Sequence, residues 1–306
     1  MPGFTTHYIF GMKAYNDMPF TPLKHTIAKY RWLYQLGLQG PDMFFYNIPI
    51  LRHRDYRNVG SYMHEHKVNA FFECCLRRIG TIRSRQQQEE AISYLAGFMN
   101  HYIADSICHP YVYGRIGYPV DAPTSMHHGM HAHLENELDA ILLWKYKKKK
   151  PSEFNQTATI CLNGQEIQFI SHFLASCINE TYYPITYRNN FQVTPAMVHR
   201  SIWALRFGCR TLSDKTGKKK FGIAQVESIF VNHPVASAKM VTDSVTDYRS
   251  SCNLNHEAWG NPWDPTRVST ASFVDLFHET LDKCSRVYEL LNSAVTDNVP
   301  LDKQDL

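Results

Sequence analysis

Several things are missing from this sequence, and each absence narrows the reading. No stretch approaches about 18 consecutive apolar residues, so no membrane-spanning helix is expected. Residues 1–30, MPGFTTHYIFGMKAYNDMPFTPLKHTIAKY, lack a basic segment followed by a long apolar one, so no secretory signal is expected either. Eight cysteines occur, at positions 74, 75, 108, 161, 177, 209, 252 and 284, without a single CxxC spacing. The adjacent Cys74 and Cys75 are a poor start for a disulfide framework. Reduced, mostly buried thiols in a reducing compartment are the simpler account, and a cytoplasmic location follows as the expectation. Period-two alternation is scarce, which argues against a β-rich fold. There is no internal repeat and no low-complexity linker, so one compact unit spanning residues 1–306 is expected. The charge balance is also mild. A net charge of +4 and a sequence pI near 8.5 permit anionic partners without demanding them.

What is present is a globular composition, 44% hydrophobic and 20% charged over 306 residues, enough to bury a sizeable core. The outlier is 16 histidines beside 18 tyrosines and 17 phenylalanines, which raises the prior for metal binding. The clearest helical pattern runs from Glu89 to Cys108, with Ile92, Leu95, Met99 and Ile103 at spacings of three and four and Pro110 as its stop. Further helices are expected at 125–144, 194–210 and 270–292, with weaker patterns at 20–36 and 61–79. The run ATICLNGQEIQFI at 158–170 predicts a small hairpin around Asn163-Gly164. Lysine runs at 147–150 and 218–220 read as solvated helix ends or loops, although a phosphate-rich membrane surface would attract them. The class is all-α.

Within the best helix, His101, Asp105 and His109 follow one another at intervals of four. That interval stacks side chains on one helix face about 5–6 Å apart, within reach of shared metal ions. Pro110 is expected to fray the last turn and leave His109 just past the helix end. His131 and Glu135 repeat the arrangement on the next helix, and Asp139 adds a carboxylate to the same face. A lone His-x-x-x-carboxylate is more often a surface pair than a ligand set. Two within 35 residues, with an extra histidine between them, favour a cage holding two or three metals between facing helices. Imidazole and carboxylate without cysteine suit zinc, although iron and manganese accept similar donors. His127, His128 and His133 lie in the same segment and remain open as alternatives.

These residues stand within motifs that go further. The carrying segments are MPGFTTHYIFG at the start, LGLQGPDMFFY at 36–46, GSYMHEH at 60–66, YLAGFMNHYIADSICHPY at 94–111 and HAHLENELD at 131–139. In these motifs and their order, over roughly the first 145 residues, the chain resembles the zinc-dependent phospholipase C family, which includes the N-terminal domain of glycosylphosphatidylinositol phospholipase D. The later half matches only in helical character and in lesser pieces such as NPWDP at 261–265. The resemblance implies a multi-helix bundle of the zinc-dependent phospholipase C and zinc nuclease type, with clustered zinc ions. It implies Asp42, His64, His101 and Asp105 as ligands of one zinc, and His109, His131 and Glu135 as ligands of a second. His7, with Asp105 shared, would belong to a third. His64 is preferred to His66 by the family's Gly-Ser-x-x-His spacing, and His131 with Glu135 to His133 with Glu137 by the ENxxD ending. Secreted members complete the third site with a mature N-terminal tryptophan. No tryptophan stands near this start, so the third site is expected to be incomplete or completed otherwise, for instance by an amine at Pro2.

The expected chemistry is hydrolysis of a phosphodiester by water activated between two zincs, with Asp42 as the carboxylate that orients that water or takes its proton. Phospholipid headgroups are the first substrate class, with peripheral membrane contact. A second reading keeps the metals and changes the substrate to single-stranded nucleic acid or a phosphomonoester, with Phe44, Phe45, Tyr46, Tyr111 and Tyr113 as rings for base stacking or, more plainly, for core packing. A third is a non-catalytic module stabilised by its metals.

Overall fold

The computed structural model describes residues 3–46, 59–182, 192–230 and 237–297, and among these the fold is all-α. The helices are α1 (Phe4–Asp17), α2 (Pro22–Lys29), α3 (Arg31–Gly37), α4 (Val59–Glu65), α5 (Val68–Thr81) and α6 (Arg85–Arg115). They continue with α7 (Ser125–Lys147), α8 (Gly164–Tyr182), α9 (Pro195–Leu212), α10 (Lys218–Phe230), α11 (Tyr248–Ser251) and α12 (Phe273–Asp297). A 3-10 segment, Gly40–Tyr46, follows α3. Sheet structure in the described residues is a two-stranded antiparallel hairpin of β1 (Trp259–Asn261) and β2 (Asp264–Ser269), with Gly260 opposite Val268. No helix among the described residues is long and apolar enough to cross a membrane. All eight cysteines are free thiols, seven of them buried.

The chain divides into two compact units, each built from three separate stretches. The first comprises Met1–Lys13, Ile103–Gln156 and Arg210–Lys283. Its core is apolar and aromatic: Ile9 and Phe10 of α1, Tyr111 and Val112 of α6, and Leu138 and Leu142 of α7 are all buried. Phe277 of α12 stacks on Phe10 at 4.4 Å and on Tyr146 at 4.8 Å. The hairpin presses its backbone onto α6 at Gly114, where a Cβ would stand 2.3 Å from the Gly260 carbonyl oxygen.

The second unit comprises Ala14–Tyr102, Thr157–Cys209 and Cys284–Leu306. Here α3 and α6 cross at glycine. A Cβ on Gly97 would lie 2.1 Å from the Tyr34 carbonyl oxygen, and one on Gly37 2.2 Å from that of Tyr94. Buried polar groups close the same contact, with Ser93 Oγ donating to the Tyr30 carbonyl at 3.0 Å and the Tyr34 and Tyr288 hydroxyls 2.9 Å apart.

Two local expectations are corrected. Asn163-Gly164 is a helix start and not a hairpin turn. Asn163 Oδ1 accepts the Glu166 backbone N–H at 2.9 Å, and the Glu166 carboxylate accepts that of Asn163 at 2.8 Å. This reciprocal pair is a capping box, and it launches α8. Pro110, in turn, does not end α6, which runs five residues further to Arg115. An internal proline sacrifices one backbone hydrogen bond and costs roughly 3 kcal/mol. Complete burial of Tyr111 and Val112 immediately after it offsets that, since each large apolar side chain contributes about 1.5–3 kcal/mol. His109 therefore stays on the helix, one turn past Asp105. The lysine runs do fall at helix ends, with Lys148 as the left-handed cap of α7 and Lys218 opening α10.

The glycine crossing sets a stability test. Gly97→Ala forces a methyl into backbone and should lower unfolding free energy in denaturant by about 1–3 kcal/mol. Gly80→Ala, on an open face of α5 where a Cβ meets nothing, should be neutral or raise it by about 0.5–1 kcal/mol. Equal effects of the two would remove the crossing as a constraint.

Candidate metal centre

In the second unit three donor groups converge. His101 lies on α6 one turn beyond Gly97, so the close crossing of α3 and α6 brings its ring to the end of α3. Its Nδ1 donates to the Leu38 carbonyl at 3.1 Å. His64, on α4, donates from Nδ1 to the Gly60 carbonyl one turn earlier at 2.7 Å. A carbonyl can only accept, so each ring carries a proton on Nδ1, and its Nε2 points away from the carbonyl as the nitrogen available to a metal ion. Those two Nε2 atoms stand 3.4 Å apart. Asp42, on the 3-10 segment, brings Oδ1 to 3.2 Å from His64 Nε2 and 3.8 Å from His101 Nε2. That oxygen is buried and accepts no hydrogen bond among the described residues.

Gly40 makes the approach possible. Its φ is +47°, and a Cβ there would fall 2.3 Å from the His101 ring. Phe45 stacks against the outer side of His64 with ring centres 5.7 Å apart. Electron pairs aimed at one point from two imidazoles and a carboxylate repel unless a cation lies among them. The three donor atoms lie within 4.8 Å of one another and could hold a metal ion.

The first unit holds a second set, His109 of α6 with His131 and Glu135 of α7, again within 4.8 Å. His131 Nε2 is paired with Glu135 Oε1. Burial, the largest single influence, pushes the Glu135 carboxyl up, yet the opposing influences together, the His131 charge foremost among them, hold the group below the usual carboxylate range. His109 Nε2 is buried with no hydrogen-bond partner among the described residues, which suits an atom reserved for a metal. Asp105, one turn before His109, places Oδ2 3.8 Å from His109 Nδ1 and Oδ1 3.2 Å from Nε2 of the fully buried His7. Donors of imidazole and carboxylate without thiolate fit zinc in both sets.

The neighbouring histidines serve other ends. His66 is half exposed and faces Glu65. His133 is half exposed, and its partner Glu137 accepts hydrogen bonds from Ser251 Oγ and, at 2.6 Å, from the Thr246 backbone. His127 Nδ1 accepts the Thr124 backbone N–H at 3.2 Å at the start of α7, and His128 packs on Tyr118. Pro2 lies outside the described residues. Asp139 is the clearest departure from the spacing argument. Its carboxylate accepts the backbone N–H groups of Thr5 at 3.0 Å and Thr6 at 2.7 Å, capping the start of α1 two residues before His7. Gly3 is small enough to admit it, since a Cβ there would lie 2.4 Å from Asp139 Oδ2.

Of the rings considered for stacking, Phe44 and Tyr111 are buried in the core. Phe45 and Tyr113 instead touch candidate ligands, Tyr113 lying edge-on to His131 at 4.4 Å. Trp263, at the turn of the hairpin, packs on Tyr113 at 4.9 Å and is half exposed. The sequence reading passed over it because NPWDP shows only a turn, and its neighbour lies 150 positions away.

The family profile described as zinc dependent phospholipase C matches residues 6–186, more than half of the chain. The chain belongs to the zinc-dependent phospholipase C family. All eight predicted ligands of this family member fall inside the match, which extends past residue 145, where the resemblance of the motifs fades. Comparison with curated proteins and with solved structures gives no match.

The Asp139 cap generates a pH prediction. Burial is the main cause that raises its carboxyl to about 6, with the nearby Glu135 charge adding to it and the Thr5 and Thr6 amides opposing it. Near pH 3 the group is protonated both folded and unfolded. As pH rises towards 6 the unfolded chain releases the proton first, so this residue's contribution to stability falls across that window. Stability of Asp139→Asn relative to wild type should therefore shift in the variant's favour by about 3 kcal/mol between pH 3.5 and 6.5, measured by denaturant unfolding. A flat difference would show that the carboxylate is not burdened by burial.

Proposed function

We propose that this family member is a zinc-dependent phosphodiesterase, acting on phospholipid headgroups in a phospholipase C-type hydrolysis. The observation that carries the proposal is the pair of Nε2 atoms 3.4 Å apart beside Asp42, each imidazole held by a backbone carbonyl on its other nitrogen. Asp42, His64 and His101 would hold one zinc, and His109, His131 and Glu135 another, with His7 and Asp105 as further donors. Each unit is assembled from separate stretches of chain, which supports treating residues 1–306 as one domain.

Zinc, when bound, supplies Lewis acidity towards water and towards the phosphoryl oxygens of an ester. The chain's own contribution is positioning. Leu38 and Gly60 fix the tautomers, so the imidazoles present lone pairs without a rearrangement. Asp42 is the carboxylate suited to orient the attacking water and accept its proton, because Oδ1 is buried and not committed to a backbone donor. The products would be diacylglycerol and a phosphorylated headgroup.

Elemental analysis of protein purified without added metal should give about two zincs per chain. His64→Ala and His131→Ala should each lower the content by about one, because they belong to different donor sets. Metal-free wild type would end the proposal. For activity, phosphatidylcholine and a simple aryl phosphodiester should be turned over, and a chelator should abolish this until zinc is restored. Asp42→Asn should lower kcat by at least about 100-fold, the scale of one lost general base. No chelator-sensitive turnover on either substrate would exclude the phosphodiesterase reading.

A further inference from the structure

Helix α9 buries one stripe and displays another. Val198, Ile202, Leu205 and Cys209 face the interior, so its apolar demand is met. On the outward stripe His199, Arg200, Trp203 and Phe207 are exposed at intervals of three and four. Trp203 is 63% exposed and Phe207 54%, and their rings lie parallel, 5.3 Å between centres and 9° between planes. The helix sequence PAMVHRSIWALRFGCRTL contains arginines and no acidic residue. Among the described residues neither Arg200 nor Arg206 pairs with a carboxylate; Arg200 Nε reaches only the Ala196 carbonyl, at 3.3 Å. The two stacked and more than half-exposed rings form a contiguous aromatic patch, and such patches mark interaction surfaces.

We propose that this face of α9 seats on an anionic lipid surface, with Trp203 and Phe207 in the interfacial layer and Arg200 and Arg206 against lipid phosphates. Tryptophan favours the water–bilayer boundary, and an amphipathic helix lying in that plane pairs aromatic and basic side chains in this way. The charge pattern selects lipid over a second copy of the chain. A two-fold pairing through the same face would set the arginines of one copy against those of the other. The lysine runs at 147–150 and 218–220 lie on other elements and are not needed. The inference stands apart from the hydrolytic reading, since binding can be read without turnover.

The experiment is sedimentation of the full chain as purified, without chelator and in short incubations on ice, with sucrose-loaded vesicles of phosphatidylcholine alone and of phosphatidylcholine with roughly a third phosphatidylserine. Wild type should bind the anionic vesicles at least about tenfold better than the neutral ones, with salt weakening the difference. Trp203→Ala with Phe207→Ala should lower binding to anionic vesicles at least about tenfold, at unchanged circular dichroism. Arg200→Gln with Arg206→Gln should reduce the preference for anionic lipid. Brominated phospholipid should quench tryptophan emission in wild type and quench Trp203→Phe much less, a readout that a conservative substitution leaves free of folding effects. Equal binding by the aromatic double variant, no vesicle binding by wild type, or quenching unchanged in Trp203→Phe would each overturn the proposal. So would a wild-type dimer in light scattering that the same double variant converts to monomer, because a second copy would then cover the face.

Discussion

Two histidine nitrogens face one another across 3.4 Å, with a carboxylate oxygen beside them. Most of the structure around them makes sense as the means of holding that otherwise repulsive arrangement. The rings cannot turn to relieve it, because each Nδ1 is anchored to a backbone carbonyl, one from the end of α3 and one from the preceding turn of α4. Asp42 reaches the point only because Gly40 takes a left-handed conformation against the His101 ring. His101 itself is carried there by a helix crossing so close that neither Gly37 nor Gly97 has room for a methyl. Backbone geometry, set by three glycines and two carbonyls, thus decides where the donors point.

The set on α6 and α7 is held by different means. His131 and Glu135 occupy successive turns of one helix and are paired by helical spacing alone. His109 joins them because α6 continues through Pro110, and it continues because Tyr111 and Val112 are buried on the far side. His7 is fixed from its own helix start, where Asp139 takes the first amides of α1. A buried carboxylate there trades desolvation against two amide hydrogen bonds and the positive end of a helix. The outcome is a charge poised near pH 6, serving the placement of a histidine that it does not touch.

Helical periodicity made the all-α class legible, and intervals of four made the α6 and α7 clusters legible as candidates. Spacing failed where a residue's role depends on what comes to it from elsewhere in the chain. Asp139 shares a helix face with Glu135 by its interval of four, but its partners are amides more than 130 positions away. Asn163-Gly164 looked like a turn because the pair is common there; the deciding residue was Glu166, whose carboxylate closes the capping box. Pro110 looked like a helix stop because propensity counts the lost hydrogen bond and not the burial that follows it. Asp42, His64 and His7 had no local signal at all. They were reached through the order of family motifs, and no periodicity joins positions 42, 64 and 101.

A plainer account would treat these histidines as core residues satisfied by one another, and the hydrogen bonding argues against it. A structural histidine in an apolar interior is stable when both nitrogens have partners of opposite character. Here the protein supplies good acceptors to the outer nitrogens and brings the inner ones against each other and against a carboxylate oxygen. Positive charge among the donors, from a proton or from a metal ion, stabilises such an arrangement. A proton satisfies one pair, whereas a zinc ion takes several donors at once and releases the repulsion between all of them. On that ground a cation bound there would be as much a part of the fold as the helix crossing that makes room for it.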